Sequence, residues 1–299
     1  HPMATIRKPE GFDSQRLFVQ PEYMQNDLQS QELTRSLYVS DIGYFPQARY
    51  HYRERTEGCD SHIFIYCVEG EGWIEWNGSD RQARIAKHQL AVIPAGMPHR
   101  YGAAVDNPWT IYWFHLKGDH ATQLIRAYGL DSGPLSLPLG THAQWLENFE
   151  QCFALLTDKT YSLQVQIHVS QTVRHLLSTV GISASHSAQD QKREHYLEQA
   201  IRYMTDRLNG SVTLLELAQH TGLSKQHLIY LFKKETGCPP IDYFLRMKMQ
   251  RAGQMLDLTD LSVKKVCSAV GIPDPYYFSR MFKKMMGVSP TEYRSIPKG

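Results

Sequence analysis

The 299-residue sequence predicts an α+β protein of two domains, in which a β-barrel or sandwich with a helical hairpin precedes an all-α domain. Residues 35–117 consist of short β-type runs broken by Gly, Pro and Asn-Gly. Residues 142–180 carry apolar side chains at helical spacing, and the apolar patterns after residue 194 are all helical. With 42% hydrophobic residues, the chain has enough apolar mass for two cores.

The β-rich region is predicted to be a barrel or sandwich because its runs are short and separated by turn residues. Asn77-Gly78 lies between two such runs, a dipeptide typical of a tight hairpin. In the run from Trp109 to His115, residues 109, 111, 113 and 115 share one face of a strand. That face is aromatic with a polar end, so we expect it to line the interior.

The predicted helical hairpin carries one apolar stripe on each helix. The stripes are Trp145, Phe149, Phe153 and Leu156, followed by Val165, Val169, Val173, Leu176 and Leu177. The apolar surface of these stripes exceeds the area that one face of a barrel is expected to cover. They therefore predict that two chains pair through these helices as a homodimer.

A change of composition separates the two predicted domains, 1–182 and 195–299. Residues 183–194 (SASHSAQDQKRE) are small and polar without apolar periodicity, so they are predicted to be a linker. Residues 190–299 contain 17 Lys and Arg against 11 Asp and Glu, a net charge of +6, whereas residues 1–189 contain 15 against 19, a net charge of −4. A basic C-terminal domain predicts a polyanionic partner.

The C-terminal domain contains an internal repeat at about residues 214–235 and 262–285. Each copy has a short helix, a Gly turn and a second helix that ends in Phe-Lys-Lys. Gly222 and Gly271 stand in the turns, where glycine permits two helices to cross steeply. The repeat therefore predicts two helix-turn-helix units.

Helix-capping residues mark the starts of these helices. Thr213 and Glu216 are predicted to form a capping box. Ser224 is predicted to cap the second helix of the first unit, and Asp274, followed by Pro275, the second helix of the other.

This repeat, with GIPDPYYFSRMFKKMMGVSPTEYR at residues 271–294, resembles the C-terminal signature of the AraC/XylS family of bacterial transcription regulators. The resemblance implies a DNA-binding regulator that is not an enzyme, with a double-stranded DNA operator and RNA polymerase as partners. It also implies that the second helix of each unit enters the major groove. The residues expected to face DNA are Lys225, Gln226, Ile229, Tyr230 and Lys233 in the first unit, and Tyr276, Ser279, Arg280 and Lys283 in the second.

The chemistry of these outward residues suits base and phosphate contacts. Gln226 matches an adenine edge, and Arg280 matches a guanine edge or a phosphate. Ile229 and Tyr230 suit thymine methyl groups or sugars. Lys233 and Lys283 are expected to contact phosphates, which fix register without reading sequence.

The N-terminal domain resembles a cupin barrel. Residues 89–101 are similar to the second cupin motif, whereas the first-motif stretch 62–70 offers only His62 and Glu69. A zinc or iron site needs three or four ligands, so no metal and no cofactor are expected.

The same layout is similar to the arabinose-binding domain of the AraC/XylS family, which implies a small-molecule effector, expected to be a sugar. The residues expected to contact the effector are Arg55, Tyr101 and Trp113, with His62 and His115 as further hydrogen-bonding groups. Ile111 stands where the sugar regulator has a polar contact, so arabinose itself is not required. Residues 3–34 resemble an arm that could close over the pocket.

Two alternatives stay open on the residues alone. One is a regulator of this family controlled by a non-sugar effector or a protein partner. The other is a cupin enzyme fused to a DNA-binding module. The five scattered cysteines indicate a reducing compartment, and the chain has no apolar run long enough for a membrane span. The expected location is therefore the cytoplasm.

Overall fold

The computed structural model of the protein describes residues 6–77, 81–184 and 188–299. It divides into two compact units, His1–His186 and Ser187–Gly299. The first unit is rich in sheet, and all named elements of the second are helices. The predicted α+β fold of two domains is thereby confirmed.

Among the described residues of the first unit, ten strands form two antiparallel sheets. They are β1 (Arg16–Val19), β2 (Tyr38–Phe45), β3 (Tyr52–Arg55), β4 (His62–Glu69), β5 (Gly72–Trp76), β6 (Arg81–Ile85), β7 (Gln89–Ile93), β8 (His99–Ala103), β9 (Thr110–Lys117) and β10 (Leu135–Ser136). The larger sheet has the order β1-β2-β9-β4-β7-β10 and the smaller one β3-β8-β5-β6. Alternate side chains of the larger sheet therefore face either the smaller sheet or the helices.

The hairpin predicted at Asn77-Gly78 is present. Strands β5 and β6 pair antiparallel, with Trp76 opposite Arg81. Asn77 has a φ of 52°, the left-handed conformation that tight hairpin turns require. Gly78 lies outside the described residues.

In the ranges that the structure describes, four helices accompany the sheets: α1 (Glu22–Ser30), α2 (Asp119–Tyr128), α3 (Leu139–Lys159) and α4 (Leu163–Ser183). Helices α3 and α4 form a hairpin packed on the outer face of the larger sheet. The fully buried Trp145 of α3 lies with its ring centre 5.3 Å from that of Phe114 and 5.1 Å from that of Tyr66.

The apolar stripes of this hairpin do not remain free for a second chain, so the predicted interface was wrong. Trp145, Leu156 and Leu177 are fully buried, and Val173 is nearly so, within a single chain. The predicted interface assumed that only one face of a closed barrel was available to cover the stripes. The larger sheet instead offers a whole apolar face to them, including Phe64 of β4.

The described part of the second unit, residues 188–299, contains seven helices: α5 (Ala188–Asp206), α6 (Leu214–Thr221), α7 (Lys225–Thr236), α8 (Pro240–Leu258), α9 (Val263–Ala269), α10 (Pro275–Met286) and α11 (Pro290–Ser295). The segment 183–194, predicted to be a linker, is helical from Ala188 onward. Its Gln, Lys, Arg and Glu residues favour helix even without an apolar stripe. Helix α4 ends at Ser183, and residues 185–187 lie outside the described residues.

The predicted caps are present, with one difference. Oγ1 of Thr213 accepts a hydrogen bond from the Glu216 amide at 3.1 Å, and Oγ of Ser224 accepts one from the His227 amide at 3.1 Å. The Glu216 carboxylate does not complete the capping box, because it accepts from the Tyr203 hydroxyl instead. Asp274 caps α10 through the amide of its second residue, 3.0 Å away.

Helix α8 joins the two helix-turn-helix units and contributes to both of their cores. Its Lys248 is only 3% exposed. The ammonium group donates to the carbonyls of Leu208 at 2.8 Å, and of Gly210 and Val270 at 2.5 Å each. The first two carbonyls precede α6 and the third follows α9, so one buried cation connects both units.

Candidate nucleic-acid interface and ligand cavity

Helix α7 presents the polar face that its sequence predicts. Leu228, Leu231 and Phe232 are buried. The predicted contact residues lie on the remaining faces, where Lys225, Gln226, Tyr230 and Lys233 are exposed and Ile229 is half-buried. His227 in the first turn is also exposed. Helical spacing could have included it, because it lies three residues before the exposed Tyr230 and so shares its face of the helix.

Helix α10 repeats this arrangement. Phe278 and Phe282 are buried, whereas Tyr276 is 83% exposed. Arg280 and Lys283 are exposed and Ser279 is half-buried. Tyr277, which the sequence analysis left out, is also exposed.

The basic side chains of the two helices are available for an anion. Within the described ranges, no carboxylate lies at ion-pair distance from Lys225, Arg280 or Lys283. Such exposed cations on the outward faces of paired helix-turn-helix units suit contacts to phosphates and base edges.

A cavity of about 170 Å³ lies between the two sheets of the first unit. Four of the predicted effector residues line it: Arg55, Tyr101, Trp113 and His115. The predicted alternation along β9 is confirmed, because Trp109 and Ile111 belong to the same inner cluster as Trp113. The volume is below the roughly 300–1,000 Å³ typical of sites for drug-sized molecules, which favours a small ligand.

Trp113 owes its position to the strand beside it. It lies opposite Gly43 of β2, where a Cβ atom would come within 2.4 Å of the indole ring. Glycine therefore lets the ring lie against the neighbouring backbone. Among the described residues, the buried Nε1 of Trp113 has no hydrogen-bond partner.

Arg55 is held by neutral groups. Its Nη1 donates to Nε2 of His99 at 3.1 Å and to the hydroxyl of Tyr101 at 3.4 Å. We therefore assign the His99 proton to Nδ1, which donates to the Met97 carbonyl at 2.8 Å. Burial lowers the pKa of His99, and the positive charge of Arg55 lowers it further.

Two further histidines in the cavity wall are neutral at physiological pH. Burial lowers the pKa of His51 to about 3 and that of His115 to about 4. Nδ1 of His51 accepts from Nε1 of Trp109 at 3.0 Å, and Nδ1 of His115 lies 3.2 Å from Oγ of Ser61. Both rings therefore line the cavity without adding charge.

His62 does not line the cavity, so its predicted role was wrong. Its Nδ1 accepts from the Ala95 amide at 2.9 Å, and its Nε2 lies 2.8 Å from Oγ1 of Thr122. The alternation of β4 explains the error, because Ile63 and Ile65 face the cavity and His62 must face the other side.

Several further residues line the cavity that were not predicted from the sequence. Arg53 precedes Arg55 by two positions on β3, so strand alternation could have identified it. Asp41 follows an irregularity in the pairing of β2 with β9, which obscures the face it takes. Glu10 belongs to the N-terminal segment, whose sequence has no period that predicts its position.

The N-terminal segment forms one wall of the cavity through Pro9, Glu10, Leu17 and Val19. Phe12 is its buried anchor, with its ring centre 5.1 Å from that of Phe45. The arm suggested for residues 3–34 thus contacts the cavity from residue 9 onward. Residues 3–5 lie outside the described residues.

Two negative findings apply to the described part of the chain. Residues 6–77, 81–184 and 188–299 contain no group of three or more His, Cys, Asp or Glu that could hold a metal ion. Among the helices in those ranges, none combines the length and apolarity needed to cross a bilayer.

Comparison with known proteins agrees with this division of the chain. Residues 42–173 match the family described as AraC-like ligand binding domain, and residues 217–296 match a helix-turn-helix domain. The MmsAB operon regulatory protein of Pseudomonas aeruginosa is 36% identical over 96% of this chain and 91% of its own length. The lactose operon transcription activator of Staphylococcus xylosus is 26% identical over 76% and 81%, and the arabinose operon regulatory protein of Salmonella typhimurium is 25% identical over 81% and 86%. With its cavity-containing sheets and two helix-turn-helix units, the chain belongs to the AraC/XylS family of transcriptional regulators.

Proposed function

We propose that the protein is a cytoplasmic, non-enzymatic regulator that binds an operator through α7 and α10 and responds to a small effector in its cavity. The observation that carries this proposal is the pair of recognition helices, whose buried faces are apolar and whose outward faces are polar and basic. RNA polymerase is the proposed protein partner at the promoter. An effector changes regulation only if it binds two states of the protein with different affinity.

The proposed effector is a sugar, and the proposed targets are genes of carbohydrate uptake or catabolism. Two of the relatives named above regulate arabinose and lactose operons. Trp113 and Tyr101 offer aromatic faces in the cavity wall, and Arg55 offers donors for oxygen atoms. A non-sugar effector is the second candidate, because Ile111 in the same wall offers no hydrogen bond.

Arg280→Ala is expected to weaken binding to the operator by about 1–3 kcal/mol, because a base-edge contact would be lost. Lys283→Ala is expected to weaken binding to all DNA sequences more evenly, since a phosphate contact carries no sequence information. The measurement is a titration of full-length protein with an operator selected from random DNA by the protein itself, and with a scrambled duplex.

Arg126→Ala is the matched control for this titration, because Arg126 is exposed on α2 of the other unit. Wild-type affinity of Arg280→Ala for the operator would contradict the proposed placement of α10 in the groove.

We also propose a homodimer, although the buried stripes of α3 and α4 cannot form it. Leu139 at the start of α3 is 76% exposed and Ile182 at the end of α4 is 79% exposed. The ends of the hairpin meet there, since Oγ1 of Thr141 lies 2.7 Å from Oγ of Ser183. Paired apolar residues at one end of the hairpin suit a contact between two copies.

Wild-type protein is therefore expected to sediment as a dimer at micromolar concentration, and Leu139→Asp with Ile182→Asp as a monomer. Val105→Asp is the control, because Val105 is 68% exposed in a loop between β8 and β9. A monomeric wild-type protein would exclude the dimer. A dimeric double variant would exclude this surface.

A further inference from the structure

The charged groups of the cavity point to a narrower class of effector than the aromatic walls do. Arg53 and Arg55 lie two residues apart on β3, so they share a face, and both line the cavity. Across the described residues, no carboxylate lies within ion-pair distance of either guanidinium. The two cations therefore face the cavity without an ion-pair partner among the described residues.

The positive charges of these arginines also lower the pKa values of nearby histidines. After burial, the positive charges of Arg53 and Arg55 lower the pKa of His51, and the same two charges act on His99 and His115. A single cavity wall thus carries a positive potential that reaches three rings. No histidine adds to it at neutral pH, because all three pKa values are lowered.

Acidic groups also reach the cavity without forming an ion pair with Arg53 or Arg55. Asp41 raises the pKa of His115, so its carboxylate lies near that ring. Glu10 comes from the exposed N-terminal segment. The cavity therefore offers carboxylate acceptors, to which hydroxyl groups could donate, as well as two guanidinium groups.

We propose that the effector is a small hydroxylated carboxylate, such as a uronic or aldonic acid, whose carboxylate binds Arg55 and Arg53. This inference rests on the proposed ligand function of the cavity. Guanidinium and carboxylate form charge-assisted hydrogen bonds in a planar, bidentate arrangement that a neutral hydroxyl cannot reproduce. The hydroxyl groups of the same molecule donate to Asp41, and its ring or chain packs on Trp113. A cavity of about 170 Å³ favours a single ring or a shorter chain.

The test is calorimetry on full-length protein with matched acid and neutral probes: D-glucuronate with D-glucose, D-galacturonate with D-galactose, and D-gluconate with D-glucitol. At least one acid is expected to bind about tenfold to a hundredfold more tightly than its neutral partner, the range that one charge-assisted hydrogen bond provides. Arg55→Gln with Arg53→Gln is expected to remove this preference. Trp113→Ala is expected to weaken the binding of both the acid and its neutral partner.

Arg84→Gln serves as the matched control, because Arg84 is exposed and pairs with Glu71 away from the cavity. Thermal unfolding of each variant confirms that it is folded. Equal affinity for an acid and its neutral partner, or a preference that survives loss of both arginines, overturns the carboxylate inference and leaves the cavity as a ligand site. Absence of binding by every probe overturns both proposals.

Discussion

Lys248→Met is expected to lower the free energy of unfolding of the helical unit by several kcal/mol. The substitution keeps the length of the side chain and removes the donor that serves the carbonyls of Leu208, Gly210 and Val270. A buried carbonyl left without a partner costs about 1–3 kcal/mol, and the three carbonyls that lose this donor belong to buried Val270, half-buried Leu208 and exposed Gly210. Relief from burying an ammonium group offsets part of this cost, since burial lowers the pKa of Lys248.

The distribution of tryptophan makes this effect measurable in the full-length chain. All five tryptophans lie between residues 73 and 145, so their fluorescence reports the first unit alone. Circular dichroism at the helical band includes the second unit. Urea unfolding of Lys248→Met should therefore show an early loss of helical signal and an unchanged fluorescence transition.

Lys265→Met makes the same chemical change at an exposed position of α9. It is expected to leave both transitions near those of the wild type. If Lys248→Met unfolds like Lys265→Met, the buried ammonium does not stabilise the unit.

Acidification is expected to destabilise the first unit through His51 and His115. An unfolded histidine has a pKa of about 6.5, whereas burial lowers the folded values to about 3 and about 4. At mildly acidic pH these two histidines therefore bind protons in the unfolded chain but stay neutral in the folded chain. The stabilisation is fully present above pH 6.5 and is lost as the pH falls towards the folded values.

Between pH 6 and pH 5, the two histidines together are expected to remove about 2 kcal/mol from the free energy of unfolding. His62 and His99 act in the same direction, because burial lowers their pKa values as well. The measurement is urea unfolding followed by tryptophan fluorescence at each pH.

His51→Gln is expected to remove about half of the loss of unfolding free energy that His51 and His115 together cause between pH 6 and pH 5. Each histidine contributes about 1.4 kcal/mol per pH unit at most. His168→Gln provides the control, because His168 is exposed on α4 of the same unit. A wild-type slope in His51→Gln would mean that other groups cause the acid sensitivity.

Local sequence patterns predict the structure correctly where a single strand or helix determines it. The period of two along β9 predicts a shared inward face for Trp109, Ile111 and Trp113, and all three pack in the inner cluster between the sheets. The caps at Ser224 and Asp274 depend on a few neighbouring residues, so the sequence specifies them directly.

Local patterns failed where the partner surface lies far away in the chain. The stripe of Val169 and Val173 looks the same whether it packs on a sheet of its own chain or on a second copy. The position of Glu10 depends on how residues 6–19 cross the sheets, and no periodicity encodes that path. His62 was misplaced because a polar residue beside a pocket motif was given more weight than the alternation of its strand.

The N-terminal wall of the cavity has a kinetic consequence. Residues 6–14 of this segment are held by backbone hydrogen bonds between Lys8 and residues 50 and 52 and by one buried ring, Phe12, whereas Arg16–Val19 pair with β2. Residues 6–14 can therefore detach at a smaller cost in free energy than β1, while the sheets stay folded. A molecule that touches Glu10 favours the attached state, because its contact with Glu10 exists only in that state. Occupancy of the interior is thereby linked to the position of residues 6–14, and the residence time of the molecule follows how often they lift away.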